Sequence, residues 1–183
     1  SDTARICLKS EEVVLPQPRQ MPVTKLHESL TLLPDGRIFA TTHTTDRAPQ
    51  QPEWMPFAHH AHIWEGWPGS AMLCHDPKTG RTENWGVPVP RETIYGATYD
   101  ARHNAIYMIG FMRGHVYRFD LGTRQVRDLG KAAEVFCYRL HAGPDGHIYG
   151  CTKSGYLWRG NVGTQRLEDV KWRGLECPGK YTN

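Results

Sequence analysis

The sequence predicts an all-β chain, a partial β-propeller of about three to four four-stranded antiparallel blades. Three observations predict it. Residues 92–130, ETIYGATYDARHNAIYMIGFMRGHVYRFDLGTRQVRDLG, hold runs rich in β-branched and aromatic residues at 93–99, 105–111, 115–119 and 125–128, parted by DARHN, MRG and DLGTR, which are turn compositions. That is one meander. The same order of strand, Pro-Asp-Gly-type turn, strand ending in small residues, strand and Gly-containing turn recurs in 30–80 and in 138–163. Asp76 and Asp120 open equivalent turns, giving a period of about 40–45 residues, the range of four-stranded blades. Neither a WD nor a kelch signature occurs, so the propeller is of a divergent type. An antiparallel sandwich, which also spaces short strands evenly, is the alternative.

Taken in order, residues 1–24 carry one candidate strand at 4–8 and a Pro-rich connector, LPQPRQMP. This reads as an outer strand left from a preceding blade. Residues 25–170 hold three blades, and 171–183 is a connector or the start of a further one. Closed propellers have about four to eight blades, so a chain of 183 residues is expected to be a fragment, or to have its open edges covered by other chains. The first blade is interrupted at 44–68, where four prolines, three tryptophans (Trp54, Trp64, Trp67) and three histidines (His59, His60, His62) gather. A long aromatic-rich insertion is read as an ordered, functional loop.

In such blades the tight turns LPDGR, DPKTG, DARHN, DLGTR, GPDGH and GNVGT fall on one side of the disc. The insertion, the Met112–Gly114 turn and the start of each inner strand fall on the other. Functional loops gather on one side of a rigid scaffold, so the second face is the candidate ligand face.

The net charge of +3, with no Lys/Arg stripe, argues against a nucleic-acid partner. No apolar run is long enough to span a membrane, and no signal-peptide core is present. The five cysteines, Cys7, Cys74, Cys137, Cys151 and Cys177, show no CxxC spacing and are odd in number. This argues against a zinc ribbon and excludes a full disulfide framework.

Aligning the blades by their turns puts His27 and His43, then Tyr95 and Arg113, then Tyr138, Arg139 and Lys153 on one rim. Imidazoles, phenols and guanidinium groups around a funnel can hold an acidic substrate and move a proton. In arrangement this resembles the propeller-fold polysaccharide lyases that act on uronic acids, of the ulvan lyase and rhamnose–glucuronate lyase type. The resemblance covers about residues 25–159 and shares no contiguous signature. It implies that one blade supplies His27 and His43 and its neighbour Tyr95 and Arg113 as catalytic groups.

β-Elimination needs a cation to neutralise the uronate carboxylate, a base for the carbon-5 proton and an acid for the leaving oxygen. Arg113 or Arg139 suits the first role through its planar fork, His43 or Tyr95 the second, and His27 or Tyr95 the third. Tyr138, Arg139, Lys153 and the three tryptophans are candidate substrate contacts, the indoles as a sugar-stacking platform. Plainer readings exist for each: polar strand ends for His27 and His43, satisfied inner-strand histidines for His115 and His141, core positions for the tyrosines, and a solvated turn for Arg113. His59, His60 and His62 also form a candidate divalent-metal set, zinc or similar, with His43 or the Cys74-His75 pair as further ligands.

The expected function is a carbohydrate-directed propeller, a lyase of acidic polysaccharides, extracellular or periplasmic. The alternatives are a non-catalytic segment that binds a glycan or protein and assembles through open blade edges, and a hydrolase using metal-activated water.

Overall fold

Fanned β-sheets account for all the regular structure in the computed structural model, which describes residues 23–26, 28–44, 67–111, 113–132, 139–151, 157–161, 163–164 and 166–169. The first sheet contains β1 (Lys25–Leu26), β2 (Thr31–Leu32), β3 (Ile38–His43), β4 (Met72–Asp76) and β5 (Arg81–Gly86). The second runs β6 (Ile94–Asp100), β7 (Ala105–Gly110), β8 (His115–Asp120) and β9 (Val126–Lys131). The third runs β10 (Leu140–Ala142), β11 (Ile148–Cys151), β12 (Leu157–Asn161) and β13 (Arg166–Asp169). All pairings are antiparallel between sequence neighbours, save in the first sheet, where β1 and β2 both pair with β3.

That exception is an interrupted inner strand. Ser29 lies in the break, and its Oγ accepts a hydrogen bond from the Thr41 N–H at 2.6 Å. The hydroxyl stands where a strand carbonyl would, so the first sheet keeps the four positions of a blade.

β7 is buried along its whole length and serves two cores. Ile106 and Met108 pack with Leu33, Phe39, Met72 and Cys74 of the first blade, whereas Ala105, Tyr107 and Ile109 pack with Leu140, Ile148 and Trp158 of the third. Alternation with period two sends successive side chains to opposite faces, so a strand apolar at every position requires a neighbour on both sides. The described residues therefore form three blades of a partial propeller, because a two-layer sandwich gives no sheet a partner on both faces. Each fully buried Ile or Met contributes on the order of 1.5–3 kcal/mol.

The turn repeat is visible in atomic detail. Asp35 in LPDGR and Asp145 in GPDGH each accept the N–H two residues on, from Arg37 at 3.0 Å and His147 at 3.1 Å. Asp76, Asp120 and Asn161 do the same in the outer turns, accepting from Lys78, Gly122 and Gly163 at 2.9, 3.0 and 3.0 Å. Short polar side chains that bond forward in this way nucleate turns. Across the disc, the Arg102 guanidinium donates to the carbonyls of Asp145 and Pro144 at 2.9 and 3.2 Å, joining the second blade to the third.

Strand limits shift from the sequence reading at one informative place. β9 runs to Lys131, beyond the expected end at 128, because its ladder to β8 changes register between His115 and Tyr117 rather than stopping. Gly130, at φ 100°, takes a left-handed conformation there, and its N–H bonds to Asp128 Oδ1 at 2.7 Å. Gly86 repeats the device in β5, at φ 86° with a 2.8 Å bond to Asn84. A glycine bulge bends an outer strand without ending it.

Candidate functional site

The strand directions put the start of β6, the ends of β3 and β7, and the starts of β8 and β10 at one end of the sheets. His43, Tyr95, Arg113 and Arg139 therefore share this end, opposite the aspartate turns. The expected site residues His27, Trp54, Trp64, Tyr138 and Lys153, and the metal candidates His59, His60 and His62, lie outside the described residues. Among the described residues, no group of three or more His, Cys, Asp or Glu side chains is placed to hold a metal ion. Cys74 is buried in the first core and Cys151 is exposed; His75 bonds through Nδ1 to Thr82 at 2.9 Å.

His43 and Tyr95 meet directly. Their rings lie edge to face, 5.2 Å between centroids, and Tyr95 stacks on Phe111 at 4.4 Å and 21°. Trp67 adds a fourth ring, 6.4 Å from His43. The cause is local: β6 shifts register against β7 between Ile94 and Gly96, so Tyr95 bulges and is buried beside the equally buried Ile94. Offset and edge-on aromatic pairs each add about 0.5–1.5 kcal/mol beyond area burial. His43 is 1 % exposed, Tyr95 and Trp67 3 %. The three thus lie beneath the surface, and Trp67 presents no open indole face.

Arg113 is placed differently. Its Nε lies 3.1 Å from Oε2 of Glu92, while 44 % of its side chain remains exposed. Glu92 itself is almost wholly enclosed, at 2 % exposure. Tyr117 donates its phenolic O–H to the same oxygen at 3.2 Å. Room for the carboxylate comes from Gly110, since a Cβ there would stand 2.7 Å from Glu92 Cδ. The Glu92 backbone is fixed as well: its carbonyl accepts the Ser70 N–H at 2.9 Å, and Ser70 Oγ accepts the Ile94 N–H at 2.9 Å.

Burial pushes the Glu92 carboxyl above the usual range, opposed by the Arg113 charge and the Tyr117 hydrogen bond. Tyr117 is raised too, by burial first and then by the negative charge of Glu92. The ring of Tyr117 lies 6.2 Å from that of His115, at 29°. His115 reaches Asp128 through Nδ1, at 2.9 Å to Oδ2 and 3.1 Å to Oδ1. Five polar side chains, Glu92, Arg113, His115, Tyr117 and Asp128, thus form one cluster at the rim of the second blade.

Sequence reasoning missed Glu92, Tyr117 and Asp128, and took His115 for a satisfied inner-strand histidine, whereas it opens β8, the third strand of its blade. A carboxylate immediately before the β-run of ETIYG was the available signal. Its meaning depended on Gly110 standing opposite, which only strand pairing reveals.

Arg139 lies apart from this cluster. Its Nε pairs with Glu28 Oε2 at 3.0 Å, linking the third blade to the first. The two border a cavity of about 460 Å³ lined also by Thr31, Gly96, Ala97 and His141, so that the inner strands of all three blades contribute. His141 is exposed there, not the satisfied inner-strand histidine of the plainer reading.

No protein-family model matches the chain, and no curated protein sequence does. Solved structures do. The chain is similar to virginiamycin B lyase from Staphylococcus aureus, with a TM-score of 0.55 and 11% identity over 80% of this chain and 41% of that one. It is similar to a streptogramin B lyase, with a TM-score of 0.56 and 10% identity over 84% and 43%. An auxiliary nutrient binding protein from Bacteroides thetaiotaomicron gives a TM-score of 0.51 and 15% identity over 81% and 32%. The chain spans less than half the length of each of these structures. At such identities the likeness establishes the propeller fold alone, and kinship with uronic-acid lyases remains a proposal.

Proposed function

We propose that this chain is part of a carbohydrate-directed propeller that cleaves uronic-acid-containing polysaccharides by β-elimination at the Arg113 end of the second blade. The observation that carries the reading is the Arg113 guanidinium, anchored through Nε on an enclosed carboxylate and half exposed. An arginine whose fork is pre-oriented by a buried partner loses little freedom when it grips a second carboxylate, that of the substrate. In a partly desolvated rim, its charge stabilises the negative charge that develops as the carbon-5 proton leaves.

His43 and Tyr95, the pair expected from sequence to move the proton, support the rim from beneath in this arrangement. Arg139 and the axial cavity provide a second basic position for an extended acidic chain. The lyase names of two propeller neighbours are consistent with eliminative chemistry on this fold, and the nutrient-binding name of a third with ligand capture. An extracellular or periplasmic setting and further propeller blades or chains as partners belong to the same proposal.

The test is a panel of uronic-acid polymers incubated with the full chain and followed by the ultraviolet absorbance of unsaturated uronate. Product from at least one polymer, lost in Arg113→Ala, is expected. Silence across the whole panel would reject the lyase reading. A non-catalytic binding segment is the second reading, favoured by Leu30 and Leu32, which are 64% and 70% exposed beside the inner strand of the first blade. Glycan binding without unsaturated product would favour it.

A further inference from the structure

From the geometry at the rim of the second blade we infer that His115, oriented by Asp128, is the base that removes the carbon-5 proton, an inference that rests on the lyase reading above. His115 opens β8, two residues after Arg113 and on the same rim. Its side chain is 32% exposed, whereas His43 is sealed beneath the aromatic stack. A base must reach the proton it takes, and this contrast favours the exposed imidazole.

The tautomer follows from the partner. Nδ1 lies 2.9 Å from Asp128 Oδ2, and a carboxylate accepts, so Nδ1 carries the hydrogen and the lone pair resides on Nε2. Among the described residues Nε2 has no hydrogen-bond partner. Asp128 is itself held, its Oδ1 accepting the Gly130 N–H at 2.7 Å within the glycine bulge. The bulge thus serves the imidazole: it turns Asp128 back toward β8, where the ladder pairs it with Tyr117, and the near-parallel Tyr117 ring backs the imidazole. An oriented carboxylate, an imidazole and a nearby cation are the parts of an activated base.

The surrounding charges are Asp128 and Lys131 on β9, Glu92 before β6 and Arg113 in the β7–β8 turn. Two are anionic and two cationic. In the step itself the carbon-5–hydrogen bond breaks, its proton passes to Nε2, and its electron pair becomes the carbon-4–carbon-5 double bond. The carbon-4–oxygen bond breaks in turn, and the imidazolium returns the proton to the departing oxygen. One unsaturated chain end and one hydroxyl result, and the residue is restored.

The experiment uses the full chain, the polymer that it cleaves best and the variants His115→Gln, Asp128→Asn and His43→Gln. For His115→Gln, kcat is expected to fall at least 100-fold with KM changed less than threefold and the melting temperature retained. Asp128→Asn, acting through the imidazole, should lower kcat about tenfold and displace the alkaline or acid limb of the pH–kcat profile, a change that a merely structural role would not produce. Wild-type kcat in His115→Gln, or a loss confined to His43→Gln, overturns the assignment while leaving the lyase reading intact. Should the unaltered chain cleave no polymer, imidazole nitrogen-15 shifts are recorded with a glucuronate-containing tetrasaccharide. Either result then overturns the assignment: a shifted His115 marks a ligand contact without chemistry, and an unshifted one marks no contact.

Discussion

At one end of the second blade Asp120 turns its carboxylate on the N–H groups of Gly122 and Thr123, at 3.0 and 2.8 Å, and on Arg118 at 2.9 Å. At the other end Glu92 lies enclosed between one guanidinium and one phenol, with Gly110 leaving it space. The backbone hydrogen bond from Thr123 leads in holding Asp120 below its ordinary value of 3.8, and burial drives Glu92 above its ordinary 4.5. The same functional group stabilises a turn in one place and costs stability in the other. Turn residues satisfy backbone locally, whereas an enclosed carboxylate persists against its desolvation cost only where surrounding structure holds it, as Arg113, Tyr117 and Gly110 do here.

The largest effect that tests this contrast is on activity. Arg113→Ala should lower eliminative cleavage on the order of 10²–10³-fold, the usual loss when a charge-stabilising donor is removed. A rate within threefold of the unaltered chain would strip the rim of its special standing.

Packing gives the next largest effect. Gly110→Ala should lower unfolding stability by about 1–3 kcal/mol in denaturant titrations, because the added methyl meets the Glu92 carboxylate. Combining it with Glu92→Ala should recover much of that loss. Strict additivity in this cycle would mean that the two positions do not touch.

On the turn side, Asp100→Ala should cost about 1–2 kcal/mol with cleavage unchanged, since it removes an acceptor for the Arg102 N–H at 3.0 Å and the His103 contact at 2.7 Å. Altered kcat in this variant would show that the two ends are coupled.

The smallest effect is one of pH. A carboxyl whose folded value is raised contributes its full stability below the unfolded value, here 4.5, and loses it as pH rises through the folded value. The aspartates with lowered values run the other way: Asp35, Asp76, Asp120 and Asp145 contribute above 3.8 and lose that stability as pH falls. Glu92→Gln should therefore match the unaltered chain near pH 4 and melt a few degrees higher near pH 8. Equal melting temperatures across that range would show that Glu92 carries no burial penalty.

Much of the scaffold was legible because turns announce themselves locally. LPDGR and GPDGH predict forward hydrogen bonds from their aspartates, and both make them. The central strand of the second blade was legible as a continuous apolar run, although AIYMIG alone does not say which neighbour lies on each face. The site was less so. His43 and Tyr95 were expected on one rim and are in contact, but their burial arises from the bulge at Tyr95, a register change set by pairing with β7. Arg113 was singled out in sequence without its partner. Glu92 is twenty-one positions away and meets it only because β6 and β7 lie side by side.

By itself, then, the sequence determined the period, the turn chemistry and the alternation that make four-stranded sheets fan about an axis. These depend on residues within a few positions of one another. Tertiary structure alone decided which histidine is sealed and which is exposed, and which carboxylate is enclosed and which caps a turn. Burial and electrostatic environment are properties of what surrounds a side chain, and at this rim the surroundings come from residues far apart in sequence, among them His43, Trp67, Ser70, Glu92, Gly110, Arg113, Tyr117 and Asp128.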